Sequence, residues 1–197
     1  MACDGLITAD ILFDCVNGAV AGLETNVVLI NRNDIDFAAG TFDPANKVLM
    51  TNLQLLAEKS GFLFQGVKQV NSSAFELVKK ETGADKKKHI FAGVILNLSA
   101  ANKLQLENMS EGASFVAVVH KKYKGAGGIE AFDVLGYDSG LELNVATYNS
   151  NEADGTATIE LSSVDGYEEP KFPPTLLVGD YAATLTLFNN KFAQPAA

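Results

Sequence analysis

The 197-residue chain has no tryptophan, two cysteines, two histidines and a single arginine, Arg32. Each shortage narrows the possible functions. Cys3, Cys15, His89 and His120 are too few and too scattered to make a zinc site. Cys3 and Cys15 have eleven residues between them. In a reducing compartment they read as free thiols with a small structural role, although a disulfide is geometrically open. One arginine in a chain of net charge −9 is the reverse of the basic footprint of a nucleic-acid-binding domain. No apolar run approaches the roughly 20 residues that cross a bilayer. The start, Met1-Ala2-Cys3-Asp4-Gly5, has neither a basic nor an apolar leader region, so a cytoplasmic origin without a membrane partner is expected.

Catalytic signatures are missing too. The sequence contains no phosphate-binding G-x-x-x-x-G-K-[ST], no G-x-G-x-x-G after a strand, no H-E-x-x-H and no G-x-S-x-G. Gly125-Ala126-Gly127-Gly128 leads into a strand and not into a helix N-terminus, so it reads as a flexible hairpin tip. His89 and His120 lie in apolar segments, where a histidine is usually structural. Asp34, Asp36 and Asp43 lack calcium-loop spacing. The expectation is a protein that is not an enzyme, with no catalytic, cofactor-binding or metal-binding residues.

What is present is a folding sequence. Hydrophobic residues make up 47% and charged residues 20%, values of an ordinary globular chain, and one domain over residues 1–197 is expected. Twelve Phe against five Tyr predict a Phe-rich core. Strands are expected at residues 25–31, 48–57, 61–67, 74–79, 89–96, 114–120, 132–137, 141–147 and 156–161, from alternation or short β-branched runs. Residues 81–88 read as a charged turn. Two helices are expected. Ser99 caps one that Gly112 ends, and Asp180 caps another with Tyr181, Leu185, Phe188 and Phe192 at helical spacing. Pro170, Pro173 and Pro174 predict a stiff surface connector before it. The fold class is therefore mainly β with two helices.

Charge is unevenly spread. Residues 79–124 hold nine Lys against four acids, a net of +5, while residues 1–78 carry −5 and residues 125–197 carry −9. Lys86, Lys87 and Lys88 precede the strand–helix–strand unit, and Lys121, Lys122 and Lys124 follow it. If the two strands run antiparallel in one sheet, both clusters reach the same edge. Two readings stay open. The lysines are solvated loop residues, or they are a subunit interface that meets an acidic surface of the next copy, at 165–169 or 151–154.

Several segments together carry a family resemblance. They are Met1-Ala2-Cys3 with Ile11-x-Phe13-Asp14-Cys15, Gly22-Leu23-Glu24 leading into Val28-Leu29-Ile30-Asn31, and Gly61-x-x-Phe64-x-Gly66. Further on come residues 89–96, Phe132-x-Val134-x-Gly136, Ser139-Gly140-Leu141, Glu168-Glu169-Pro170 and Asp180-Tyr181-Ala182-x-Thr184. In these the chain resembles the tail tube and related virion proteins of tailed bacteriophages, in particular those of Bacteroidetes phages and prophages. The resemblance implies a β-sandwich or barrel with a flanking helix, and homo-oligomeric rings, hexamers for the most part, that stack into the tail tube of a virion. Assembly in the host cytoplasm, contacts with other tail proteins, and passage of DNA through an acidic lumen without specific binding are implied as well. Tail terminators, connectors, collars and injection-system tubes are the neighbouring alternatives. A β-sandwich module that binds a peptide or sugar is the alternative of a different class.

Overall fold

The computed structural model describes residues 7–12, 14–67, 70–151 and 155–195. Eleven strands and two α-helices follow in order: β1 Leu23–Asn31, β2 Thr41–Phe42, β3 Leu49–Asn52, β4 Phe62–Gln65, β5 Ser72–Val78, β6 Lys86–Ile95, α1 Ala100–Ser110, β7 Phe115–Lys121, β8 Phe132–Leu135, β9 Glu142–Tyr148, β10 Ala157–Ser162, β11 Thr175–Leu176 and α2 Tyr181–Asn189. The protein is mainly β with two helices. One sheet has seven strands in the order β2-β3-β11-β8-β7-β1-β4, and the other has four in the order β5-β6-β10-β9.

The apolar runs of β1 and β7 explain the layering. A strand sends alternate side chains to opposite faces, so a run without polar residues must be covered on both. Val27 and Leu29 of β1, with Ala117 and Val119 of β7, face Phe91 and Leu161 of the four-stranded sheet. Val28 and Ile30, with Val116 and Val118, face the opposite way, onto Phe188, Phe192 and Met50. Three layers result: the four-stranded sheet, the seven-stranded sheet, and α2 with the loops around it. The core is Phe-rich as composition predicts, since Phe91, Phe132 and Phe192 are among its largest fully buried side chains.

Both predicted helix caps form. The Ser99 hydroxyl accepts the Asn102 N–H at 3.2 Å, and the Asp180 carboxylate accepts the Ala183 N–H at 2.8 Å. Phe188 and Phe192 are buried, while Tyr181 and Leu185 pack partly buried against the same core. The two sheets approach each other closely at Gly93 of β6. A Cβ there would lie 2.6 Å from the Phe64 ring, which itself stands edge-on to Phe91.

Several expectations are corrected. The strand expected over residues 48–57 stops at Asn52, and Leu53 and Leu55 are buried through a bend in which Leu55 bridges Ile35. Residues 86–88 are not part of a turn. Lys86, Lys87 and Lys88 open β6, paired with Val78, Leu77 and Glu76 of β5. The proline connector is interrupted by β11, which lies parallel to β3 and antiparallel to β8. The glycine tip 125–128 is a 3-10 turn, and a Cβ at Gly128 would strike the Tyr181 ring at 2.6 Å. Cys15 is free and exposed, so it has no core role, and Cys3 lies outside the described residues.

Candidate assembly interface

The four-stranded sheet has two unlike faces. Residues directly opposite in an antiparallel pair project to the same side. His89 and Phe91 of β6 and Ile159 and Leu161 of β10 turn inward onto the other sheet and are buried. The outer face mixes polar and small residues with aliphatic ones: Ala74 and Glu76 of β5, Ile90, Ala92 and Val94 of β6, Thr158 and Glu160 of β10, Val145 and Thr147 of β9. Its charged groups are Glu76, Glu142 and Glu160 against Lys86 and Lys88, a slight acidic excess.

Among the described residues neither edge of this sheet has a further strand, although α1 lies beside β9 and the β9–β10 pairing carries a bulge at Glu160/Leu161. β5 and β9 are seven residues each, and each has a neighbour on one side only. Phe75 is 54% exposed, Leu77 51% and Tyr148 53%. Edges of soluble sheets are usually blunted by bulges, prolines or charge, because unpaired N–H and C=O groups recruit further strands. Here β5 presents aromatic and aliphatic side chains instead, with Phe75 resting edge-on against Phe172.

The two lysine clusters singled out from sequence do not lie along one sheet edge. Lys86–Lys88 belong to the four-stranded sheet and Lys121 to the seven-stranded one. His89, next to the first cluster, contacts Gly136 beyond the end of β8, whereas Lys121 pairs with Asp133 near its start. Three residues of strand, about 10 Å, separate those two points. Most of the lysines are also engaged within the chain. Lys88 pairs with Asp165 at 3.1 Å, Lys121 with Asp133 at 2.8 Å, and Lys124 with Glu24 at 3.1 Å. Lys87 points inward, donates to the Asp85 and Pro170 carbonyls, and lies over the Phe172 ring. Among the described residues only Lys86 and Lys122 of the six lack a side-chain partner.

The acidic run 165–169, expected to face a neighbour, serves the chain's own fold. Glu169 is buried, and its carboxylate accepts the N–H groups of Asp138, Ser139 and Gly140 at 3.0, 2.8 and 3.2 Å. Burial pushes its carboxyl above the ordinary range, against those hydrogen bonds. The single arginine clamps the same turn from the other side, Arg32 Nη2 donating to the Asp138 carbonyl. Glu168 is held down to about 2 by its hydrogen bond and ion pair with Lys80. Of the other predicted stretch, 151–154, residues 152–154 lie outside the described residues.

His89 ties the two sheets together. Its Nδ1 accepts the Gly136 N–H at 3.1 Å, so the proton sits on Nε2, which donates to the Lys171 carbonyl at 3.0 Å. Burial holds the imidazole neutral and lowers its pKa to about 4. His120 stacks on Phe132 at 4.4 Å and reaches the Tyr181 hydroxyl at 3.4 Å, and burial lowers its pKa too. Asp34, Asp36 and Asp43 are dispersed in local ion-pair and turn roles, with Lys59, with Ala38 and Ala39, and with Ala45 and Asn46.

Compared with protein-family models, curated proteins and solved structures, the chain matches none. The open edges of β5 and β9 were not singled out from the sequence. Exposure of an edge depends on strand order, which alternation within a strand does not encode. The nearest signal was the Phe75-x-Leu77 alternation beside serines.

Proposed function

We propose that this protein is a non-enzymatic ring subunit, the tail tube protein of a tailed bacteriophage, whose four-stranded sheets join edge to edge. The observation that carries the reading is the pair of open, equally long edges of that sheet. Strands β5, β6, β10 and β9 alternate in direction. An even number of alternating strands leaves β9 opposite in sense to β5. A second copy related by rotation about an axis along the strands therefore brings its β5 antiparallel to the first copy's β9. Repeating that step closes a continuous barrel and removes every edge of this sheet. The residues quoted above for the family resemblance support a hexamer and a stacked tube.

In such a ring the slightly acidic outer face of the sheet lines the lumen. A phosphate polymer gains nothing there from counterion release, which suits passage of DNA without binding. No lysine cluster is needed for closure, because main-chain hydrogen bonds supply the contact and Phe75, Leu77 and Tyr148 the apolar area. This places the interface on the strand edges, with Lys86 and Lys88 on the lumenal face.

Electron microscopy and native mass measurement of the purified protein test the reading. Rings that stack into hollow tubes are expected. Single rings that never stack favour a terminator, connector or collar. A 20.9 kDa monomer at every concentration overturns the proposal. Phe75→Asp with Tyr148→Asp should abolish rings and leave the monomer folded, since both side chains are more than half exposed.

A further inference from the structure

Ahead of β1 lies a segment with the pattern of a strand and no sheet to join. In sequence, Ile7, Ala9, Ile11, Phe13 and Cys15 alternate with Thr8, Asp10, Leu12 and Asp14, an apolar/polar alternation broken only at Leu12. In the structure, residues 7–12 and 14–20 form no strand, and Ile7, Ile11, Leu12 and Val16 are 84%, 91%, 81% and 90% exposed. So many aliphatic side chains left in water over a short stretch mark an interaction site.

A matching vacancy exists on the body of the molecule. β4 is the outermost strand of the seven-stranded sheet and pairs with β1 alone, leaving Phe62 57% and Leu63 50% exposed. Between β4 and α1 runs a groove of about 730 Å³, within the size range of ligand clefts. Its floor is apolar, with Phe64, Ile95 and Met109, and its rim carries amides, among them Gln65, Asn102 and Gln105. Amide side chains donate and accept, as the backbone of an incoming strand requires. The charges also match. The groove is lined by Lys191 and no acid, while residues 7–22 contain Asp10 and Asp14 and no base.

We propose that residues 7–20 of one copy dock as an added strand along β4 and into the β4–α1 groove of a second copy. The arm joins the body at Leu23, three residues or about 10 Å along β1 from Asn26, which lies opposite Gln65 at the near end of the groove. Gly22, at a φ of 96°, turns the arm off the line of β1, and none of the described residues of the arm lines the groove of its own chain, which leaves that groove to a neighbour's arm. This inference rests on the self-assembly reading above but uses a different surface from the β5 and β9 edges.

The test places a photo-crosslinking phenylalanine analogue at Phe62 in the full chain and assembles a mixture of light and heavy-isotope copies. Irradiation should link position 62 to residues 7–20, with light–heavy pairs among the products. Links confined to single-isotope pairs would mean that the arm fills its own groove. Links elsewhere would mean that another partner covers β4. Either result overturns the proposal, and if rings are still seen the ring reading stands. A chain that stays monomeric at every concentration sinks both. In parallel, Ile7→Asp with Ile11→Asp should weaken the tube, or the association between rings, by at least about tenfold in concentration midpoint. The melting temperature of the free subunit should not change, because both residues are exposed. Unaltered assembly of that double variant would also count against arm docking.

Discussion

The two sheets are built from similar residues but to different ends. In the seven-stranded sheet, β1 and β7 are sealed on both faces, and Val27, Val28, Ile30 and Val116 through Val119 are fully buried. In the four-stranded sheet only the inward face is sealed, and both edge strands are exposed along most of their length. The first sheet holds the subunit together. The second, on the proposed function, spends little on the isolated subunit and keeps its hydrogen-bonding capacity for neighbours. A change in the first sheet should therefore show as lost stability of the monomer, and a change at the edges of the second as lost association.

The largest expected effect tests the first half of that contrast. Phe132 is fully buried between His120, Tyr181 and Phe188. Phe132→Ala should cost about 3–5 kcal/mol of unfolding free energy in a denaturant titration. A loss no greater than that of Phe75→Ala on the open edge would erase the distinction between the sheets.

Acid should next loosen the seam between them. His89 is neutral in the fold with a pKa of about 4, while an unfolded histidine takes up a proton near 6.5. Its folded pKa is depressed, so its share of stability is fully present above about 6.5 and is lost as pH falls from there to 4. The expected loss is on the order of 3 kcal/mol. Glu169, raised by burial, works the other way: it binds its proton more readily folded than unfolded and offsets part of the loss. Stability measured against pH for the parent and for His89→Asn, which keeps an acceptor for the Gly136 N–H, isolates the histidine. The drop should vanish in the variant, and its persistence would assign the seam's acid sensitivity elsewhere.

A smaller loss is expected at Gly93, where the two sheets approach closely. Gly93→Ala would place a methyl against Phe64, and overpacking of this kind costs about 1–3 kcal/mol. Thermal melting reads it. Phe64→Leu in the same chain should recover part of the loss if the clash is the cause.

The smallest effect concerns the lysines. Lys88 pairs with Asp165, whose side chain is 89% exposed, so Lys88→Gln should change monomer stability by no more than about 1 kcal/mol. Lys122→Gln should change it less. Rings that still form in both variants would agree with closure through strand edges. Failure to assemble would instead restore the lysines as the contact between copies.

Much of this fold was legible beforehand because its signals are local. The strand expected at 74–79, the Ser99 and Asp180 caps and the helical stripe as far as Phe188 are each decided by neighbours a few residues away. Helix α2 ends at Asn189, and Phe192 follows it in left-handed backbone at a φ of 55°. What failed was non-local. β2 and β11 are two residues long, too short to show a period, and exist because β3 and β8 offer partners. The lysine triplet reads as a turn by composition, yet Val78, Leu77 and Glu76 on one side and Glu169 on the other hold its backbone extended. Its apparent partnership with the second lysine cluster dissolved once β6 and β7 entered different sheets.

Sequence alone determined the class of the molecule: mainly β, two helices, a Phe-rich core, and an acidic surface interrupted by lysine. Those properties follow from composition and short-range periodicity, which each segment carries with it. Tertiary structure decided which strands lie at an edge, which carboxylates are turned inward, and that Ile7, Ile11, Leu12 and Val16 are left exposed in a segment that pairs with no strand among the described residues. Edges, burial and vacancies arise only when distant segments meet, and no single segment encodes what it is left next to.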